Sequence, residues 1–203
     1  MSSSSLFELP KRIQQLLCHY DGTWMIAGGW AIDLFLQQPT RIHKDIEIAI
    51  PRSEQLQLRN YLSQRDDWIF RYAQSGRLID WQAEHLLQLP IHEIHAERSD
   101  GMHLEILLNE INEHQQWVFR RSPQVVYPIQ KMCLSSVLSI PILCPEIVLL
   151  YKAKINQPKD QMDLNNTLPH LDLQQLYWLS TAIATTHGQS HQWIKIIENT
   201  ING

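Results

Sequence analysis

Asp45 and Glu47 stand one residue apart in the stretch RIHKDIEIAI, where Ile46, Ile48 and Ile50 alternate with Asp45, Glu47 and Ala49. Strict alternation is the period of a half-buried strand, so the two acids share a face with their roots ~7 Å apart. Flexible carboxylate tips at that spacing can close on one cation. A hard divalent ion such as magnesium takes one or two protein carboxylates, keeps several waters and leaves room for substrate phosphates. Upstream, Gly28 and Gly29 separate an apolar run, Trp24 to Ala27, from a helical pattern over Ala31 to Gln37. That order predicts strand, tight turn and helix, and it offers a phosphate both close backbone approach and a positive helix N-terminus. A cation pair and a phosphate turn in one short segment imply a bound nucleoside triphosphate.

A third acid, Glu105, falls in the middle of a predicted strand from Met102 to Asn109. Met102, Leu104, Ile106 and Leu108 take one face of it, and His103, Glu105 and Leu107 the other. An Asp-x-Glu or a di-glycine alone is ordinary, the first as a solvated strand face and the second as a turn. Their conjunction with Glu105 is what points to chemistry. The stretch IHEIHAERSDGMH holds His92, His95 and His103, but zinc is not favoured there, because His92 and His95 would face opposite sides of a strand and no fourth ligand is spaced to help. Trp24, Trp30, Trp68 and Trp81 are read as core rather than as base-stacking platforms. Lys152 and Lys154 have the pattern of a solvated helix surface, with a phosphate contact for Lys152 as the competing expectation.

The elements that must position these residues follow from periodicity and punctuation. A first helix is predicted over Leu6 to Tyr20 and another over Ser53 to Gln64, with Ser53 as its cap. Strands are predicted over Asp45 to Ile50, Trp68 to Ala73, Ile91 to Ala96, Met102 to Asn109 and Gln116 to Arg120. Beyond Pro145 the texture becomes helical, with helices expected over Glu146 to Asn156, Lys159 to Leu168, Asp172 to Thr186 and Ser190 to Asn199. Ser2 to Ser5 is expected to be a frayed end. The resulting class is α+β, a small mixed sheet flanked by helices over residues 1–124 and a C-terminal helical bundle over residues 125–203.

Composition sets the outer bounds. The 203 residues are 44% hydrophobic and 19% charged, a globular balance. No apolar run approaches the ~20 residues of a membrane span and the start lacks a signal-peptide pattern, so a cytoplasmic protein without a membrane partner is expected. The net charge of -4 supplies no basic stripe, which disfavours a nucleic-acid partner. Cys18, Cys133 and Cys144 are odd in number and widely spaced, and are expected to be buried free thiols.

The segments GGWAIDLFL, RIHKDIEIAI, LEILLNE and PEIVLLYKAK with PKDQMDL, in that order, resemble the aminoglycoside and lincosamide nucleotidyltransferases of the polymerase-beta-like superfamily, closest to their Gly-Gly-Trp branch. The resemblance covers Trp24 to Leu171. It implies transfer of a nucleoside monophosphate, AMP from ATP, to a hydroxyl of a small acceptor such as an aminoglycoside or lincosamide antibiotic. It also implies Asp45, Glu47 and Glu105 as catalytic and metal-binding acids for one or two magnesium ions, and Gly28, Gly29 and Lys152 at the nucleotide. Glu105 has two possible roles, second-metal ligand or general base. The family more often carries a second Asp at the position of Glu47, and the wider superfamily a Gly-Ser turn where this chain has Gly28 and Gly29. The rival expectations are a non-catalytic nucleotide sensor or antitoxin-like module, and nucleotidyl transfer to a protein or RNA.

Overall fold

A computed structural model describes residues 6–154 and 157–203. The expected frayed end at Ser2 to Ser5 and the expected helix end at Asn156 lie outside them. The chain opens with α1 (Glu8–Leu16), β1 (Met25–Ile26), α2 (Gly28–Leu36), β2 (Glu47–Pro51) and α3 (Gln55–Ser63). It continues through β3 (Trp68–Gln74), β4 (Arg77–Asp80), β5 (Glu93–Arg98), β6 (His103–Ile111), β7 (Gln116–Val118) and β8 (Val126–Pro128). After α4 (Ile129–Met132), β9 (Cys133–Ser135) and β10 (Pro141–Leu143), the helices α5 (Pro145–Lys152), α6 (Pro158–Thr167), α7 (Leu173–His187) and α8 (Gln192–Asn202) complete it. The fold is α+β, a mixed sheet with helices followed by a helical C-terminal part.

The sheet runs β4-β3-β5-β6-β2-β1-β10-β9, with β7 pairing to the end of β6 and β8 to β7. β2 lies parallel to β6 and β1 parallel to β10, while the remaining ladders are antiparallel. Register makes two rows of opposite character. Ile142, Ile26, Ile48, Ile106, Ile94 and Tyr72 are successive cross-strand partners, and all are buried. Burying one such isoleucine contributes ~1.5–3 kcal/mol, so this row fixes the register. One residue along, on the other face, Glu47, Glu105, His95, Arg71 and Asp80 form the matching polar row. The sheet thus presents one face to the core and one charged face, whose Glu47–Glu105 end lines a cleft.

Several expectations shift. Ser53 falls in a 3-10 turn, Arg52–Glu54, ahead of α3 and makes no side-chain cap. Asp45 precedes β2 rather than opening it, although Glu105 N–H still donates to Ile46 O at 3.0 Å and extends the ladder toward it. β4, β8, β9 and β10 were not expected. The last three fall beyond residue 124, and β10 pairs with β1, so the strand-bearing part runs to Leu143. The three cysteines are free as expected, but only Cys144 is buried. Cys18 lies just past α1 and Cys133 on the edge strand β9, where neither is covered. No helix among the described residues is long and apolar enough to cross a membrane.

Candidate active site

The parallel β2–β6 ladder sets Glu47 directly beside Glu105. Asp45 stands exposed just before β2, and Glu93 on β5 carries the negative charge one strand farther. All four acids line a cleft of about 500 Å³. Burial raises the Glu47 carboxyl pKa above its ordinary value, and the neighbouring charges of Glu105, Glu93 and Asp45 add to the effect against the opposing pull of Lys152. Glu105 is likewise raised, by burial and then by Glu93, with His95 opposing. Acids crowded in this way favour a cation between them.

Gly28 explains how Glu47 finds room. Ala27 N–H donates to Glu47 O at 2.8 Å, which ties the end of β1 to the start of β2, and the chain then turns into α2 with Gly28 at φ +60. A Cβ on Gly28 would occupy the position of the Glu47 carboxylate. Glycine is therefore required twice, by backbone angle and by space. Gly29 lines the cleft as well. Its missing Cβ leaves room for the His43 imidazole and the Arg41 guanidinium, so it accommodates the loop between α2 and β2. No side chain caps the N-terminus of α2, whose first turn borders the cleft.

That loop is fastened by two buried aspartates. Asp33 on α2 accepts hydrogen bonds from Thr40 Oγ1 at 2.5 Å and Thr40 N–H at 3.1 Å, and lies 2.6 Å from His43 Nε2, whose ring packs on Trp30. Asp163 on α6 takes a two-pronged grip from Arg41 through Nε at 3.1 Å and Nη2 at 3.0 Å. The same carboxylate sits 2.9 Å from Lys152 Nζ, which also reaches Asp160 at 3.4 Å. Lys152 thus lines the cleft, as expected of a phosphate ligand, but its ammonium is held between two carboxylates of α6. Burial tends to raise the Asp163 pKa, yet the Arg41 hydrogen bond and the charges of Lys152 and Arg41 hold it below the ordinary value.

Arg120 and Arg121 also line the cleft, opposite the acids in sign. Arg121 Nη1 donates to Tyr151 O at 3.0 Å and its guanidinium lies over the Tyr151 ring. Sequence reasoning passed over both, treating Arg120 as a strand end, and it gave no weight to Asp33, Arg41 or His43. The available signals were an aspartate in an otherwise apolar helix and paired arginines before Ser122 and Pro123. Trp68 and Trp81 are core residues, as expected, while Trp24 and Trp30 pack at its edge. His92 precedes β5, but His95 and His103 meet beside Glu105, an assembly across strands that spacing along one strand does not reveal.

Residues 11–143 match the profile of a family described as aminoglycoside-2''-adenylyltransferase. No curated protein matches the chain in sequence. Among solved structures, the solution structure of the antibiotic-resistance factor ANT(2'')-Ia superposes with a TM-score of 0.57 at 14% identity, covering 100% of both chains. The lincomycin-bound lincosamide adenylyltransferase LnuA gives 0.54 at 18% identity over 77% of this chain and 92% of that one. ANT(2'')-Ia in complex with adenylyl-2''-tobramycin gives 0.51 at 14% identity over 96% and 95%. At such identities the superpositions speak for the fold, and the sequence profile, spanning well over half of the chain, speaks for kinship. An Asp-x-Glu pair and a partner glutamate around a glycine turn, carried on this fold, fit that kinship: the chain belongs to the aminoglycoside-2''-adenylyltransferase family of nucleotidyltransferases.

Proposed function

We propose that this nucleotidyltransferase moves AMP from ATP to a hydroxyl of an aminoglycoside-like acceptor, with Asp45 and Glu47 as the metal-binding pair and Glu105 as the base. The observation that carries the reading is the Glu47–Glu105 register pair beside Gly28, lining a cleft large enough for a nucleotide and a sugar ring. The donor set fits magnesium, because it is made of carboxylate oxygens, because burial and then the neighbouring acids raise the proton affinity of Glu47, and because Gly28 leaves the Glu47 tip unobstructed. Magnesium bound there supplies charge neutralisation on the phosphates during in-line displacement.

The remaining work falls to the chain. The open first turn of α2 orients phosphate oxygens through backbone N–H groups. Arg120 lines the same cleft, where a guanidinium complements the triphosphate. Glu105 accepts the acceptor hydroxyl proton at a carboxylate oxygen, and its raised pKa makes it the stronger base. Glu93 extends negative charge toward the acceptor side, which suits a polyamine better than an anionic polymer. The solved neighbours that carry lincomycin and adenylyl-2''-tobramycin support antibiotics as the first acceptors to try.

The test is to incubate the protein with alpha-labelled ATP, magnesium and a panel of aminoglycosides and lincosamides, and to look for an adduct heavier by one AMP. Label on an aminoglycoside is the expected result. Tight nucleotide binding with no labelled acceptor, in the panel or in cell extract, overturns the reading in favour of a sensor.

A further inference from the structure

β5 and β6 run antiparallel, with His95 opposite Glu105 and Glu97 opposite His103. This register gathers His95, His103 and Glu105 on the cleft face of the sheet. His95 Nδ1 lies 3.3 Å from His103 Nε2, and a ring nitrogen of each histidine and a carboxylate oxygen of Glu105 all fall within 4.8 Å of one another. Two nitrogens bound at ~2.0–2.1 Å to one tetrahedral zinc are separated by ~3.3–3.4 Å, the edge of the tetrahedron. The observed spacing of the two imidazoles equals that edge.

The far side of the His95 ring supplies a second, independent observation. His95 Nε2 lies 2.7 Å from Glu93 Oε1, and an ionised carboxylate can only accept, so Nε2 carries the proton. The Nδ1 lone pair is left pointing at His103. A carboxylate that holds the outer nitrogen of an imidazole is the usual support of a metal-bound histidine, fixing both its tautomer and its orientation. The His95 side chain is 17% exposed and that of Glu93 32%, so the cluster is sheltered yet not sealed from solvent.

We propose that His95 Nδ1, His103 Nε2 and Glu105 form a binding site for a borderline divalent transition metal, with zinc as the reference ion, beside the all-oxygen position at Asp45 and Glu47. Imidazole nitrogen selects zinc-like ions, whereas carboxylate and water select magnesium, so the two positions differ in the ion they prefer. Three protein ligands leave a coordination position open. On the reading of Glu105 as the base of the proposed reaction, zinc bound here withdraws its carboxylate from the acceptor hydroxyl, and nucleotidyl transfer becomes zinc-sensitive.

The experiment is a calorimetric titration of the metal-free full chain with zinc chloride, without nucleotide or acceptor, beside the visible absorption of the cobalt(II)-loaded protein. One equivalent of zinc binds, and cobalt gives the intense bands of a low-coordinate nitrogen site. His95→Asn and His103→Asn each weaken this binding at least tenfold, Glu93→Gln weakens it ~10–100-fold through the support it removes, and His187→Asn leaves it unchanged. Circular dichroism checks that each variant is folded, and Glu93→Gln, which alters no ligand, decides the matter if a histidine variant is not. Zinc affinity unchanged in the folded His95→Asn, His103→Asn double variant, wild-type affinity in Glu93→Gln, or no zinc uptake by the wild-type chain overturns the proposal. Since the titration involves no transfer, its failure leaves the proposed reaction standing, and an inactive enzyme leaves this site standing.

Discussion

Glu47 and Glu105 are direct partners across a parallel ladder, two carboxylates on one face with no cation of the chain paired to either at salt-bridge distance among the described residues. Like charges placed so cost stability unless a cation lies between them. Glu47→Gln is expected to stabilise the metal-free protein by ~0.5–1 kcal/mol, a rise of ~1–4 °C in Tm for a chain of this size. The same change should abolish the rise in Tm that magnesium and a non-hydrolysable triphosphate give the wild type. Thermal scans with and without the pair of ligands check both halves. A variant that is less stable in EDTA yet still responds to the ligands removes Glu47 from the metal site.

Gly28 sits at φ +60 with its Cβ position filled by the Glu47 carboxylate. Gly28→Ala therefore combines a left-handed backbone with a collision and should cost ~1–3 kcal/mol. It should also displace Glu47 and weaken magnesium-dependent triphosphate binding. Gly29→Ala acts elsewhere, pushing on His43 and Arg41, and its effect should be mirrored by Asp33→Ala, which frees the same loop. Denaturant melts read beside nucleotide titrations separate the two glycines. Equal affinity in Gly28→Ala and wild type counts against the Glu47 geometry.

Much of this site was legible because alternation is a local signal. The runs around Glu47 and Glu105 each declared which side chains share a face, and the structure had only to set β2 beside β6. Helices after Pro145 were legible for a similar reason, since proline at a first turn and a capping residue such as Asp172, which accepts from Gln175 N–H at 2.8 Å, act within a few residues. What escaped depends on contacts far apart in sequence. The Arg41–Asp163 pair spans the two ends of the fold, and the His95–His103 meeting needs a cross-strand register that no single segment encodes. β9 and β10 are three residues each, too short to show a period. β4 was the exception, since Ser75 and Gly76, both at positive φ between alternating segments, are a hairpin signal that was present and missed.

Glu105→Gln keeps shape and hydrogen-bonding reach while removing the base. Transfer should fall ~100-fold or more, the usual size of general base catalysis. Triphosphate affinity should largely survive, because Asp45 and Glu47 remain. Single-turnover transfer measured beside equilibrium affinity makes the comparison. A parallel loss of affinity and rate would instead assign Glu105 to the metal.

Asp163 is fully buried, yet its pKa lies below the ordinary value of 3.8. Burial alone would raise it, and the Arg41 hydrogen bond with the charges of Lys152 and Arg41 outweighs burial. A carboxyl depressed in the folded state contributes stability that is complete above the unfolded value and is lost as pH falls through the lower folded value. Asp163→Asn keeps the volume but takes the paired charge from Arg41 and leaves Lys152 with Asp160 alone, which should cost ~3 kcal/mol at neutral pH, or ~6–12 °C in Tm. As pH drops below 3.8, the wild-type carboxyl also becomes neutral and the gap between the two proteins should close. Because Arg41 heads the loop to Asp45 and Lys152 lines the cleft, the variant should bind triphosphate more weakly at neutral pH as well. Melting curves from neutral pH down to about pH 3, the region where a depressed carboxyl titrates, decide the point: a gap of constant size across that range means the destabilisation is steric, and the ion pair is then not what fastens α6 to the loop.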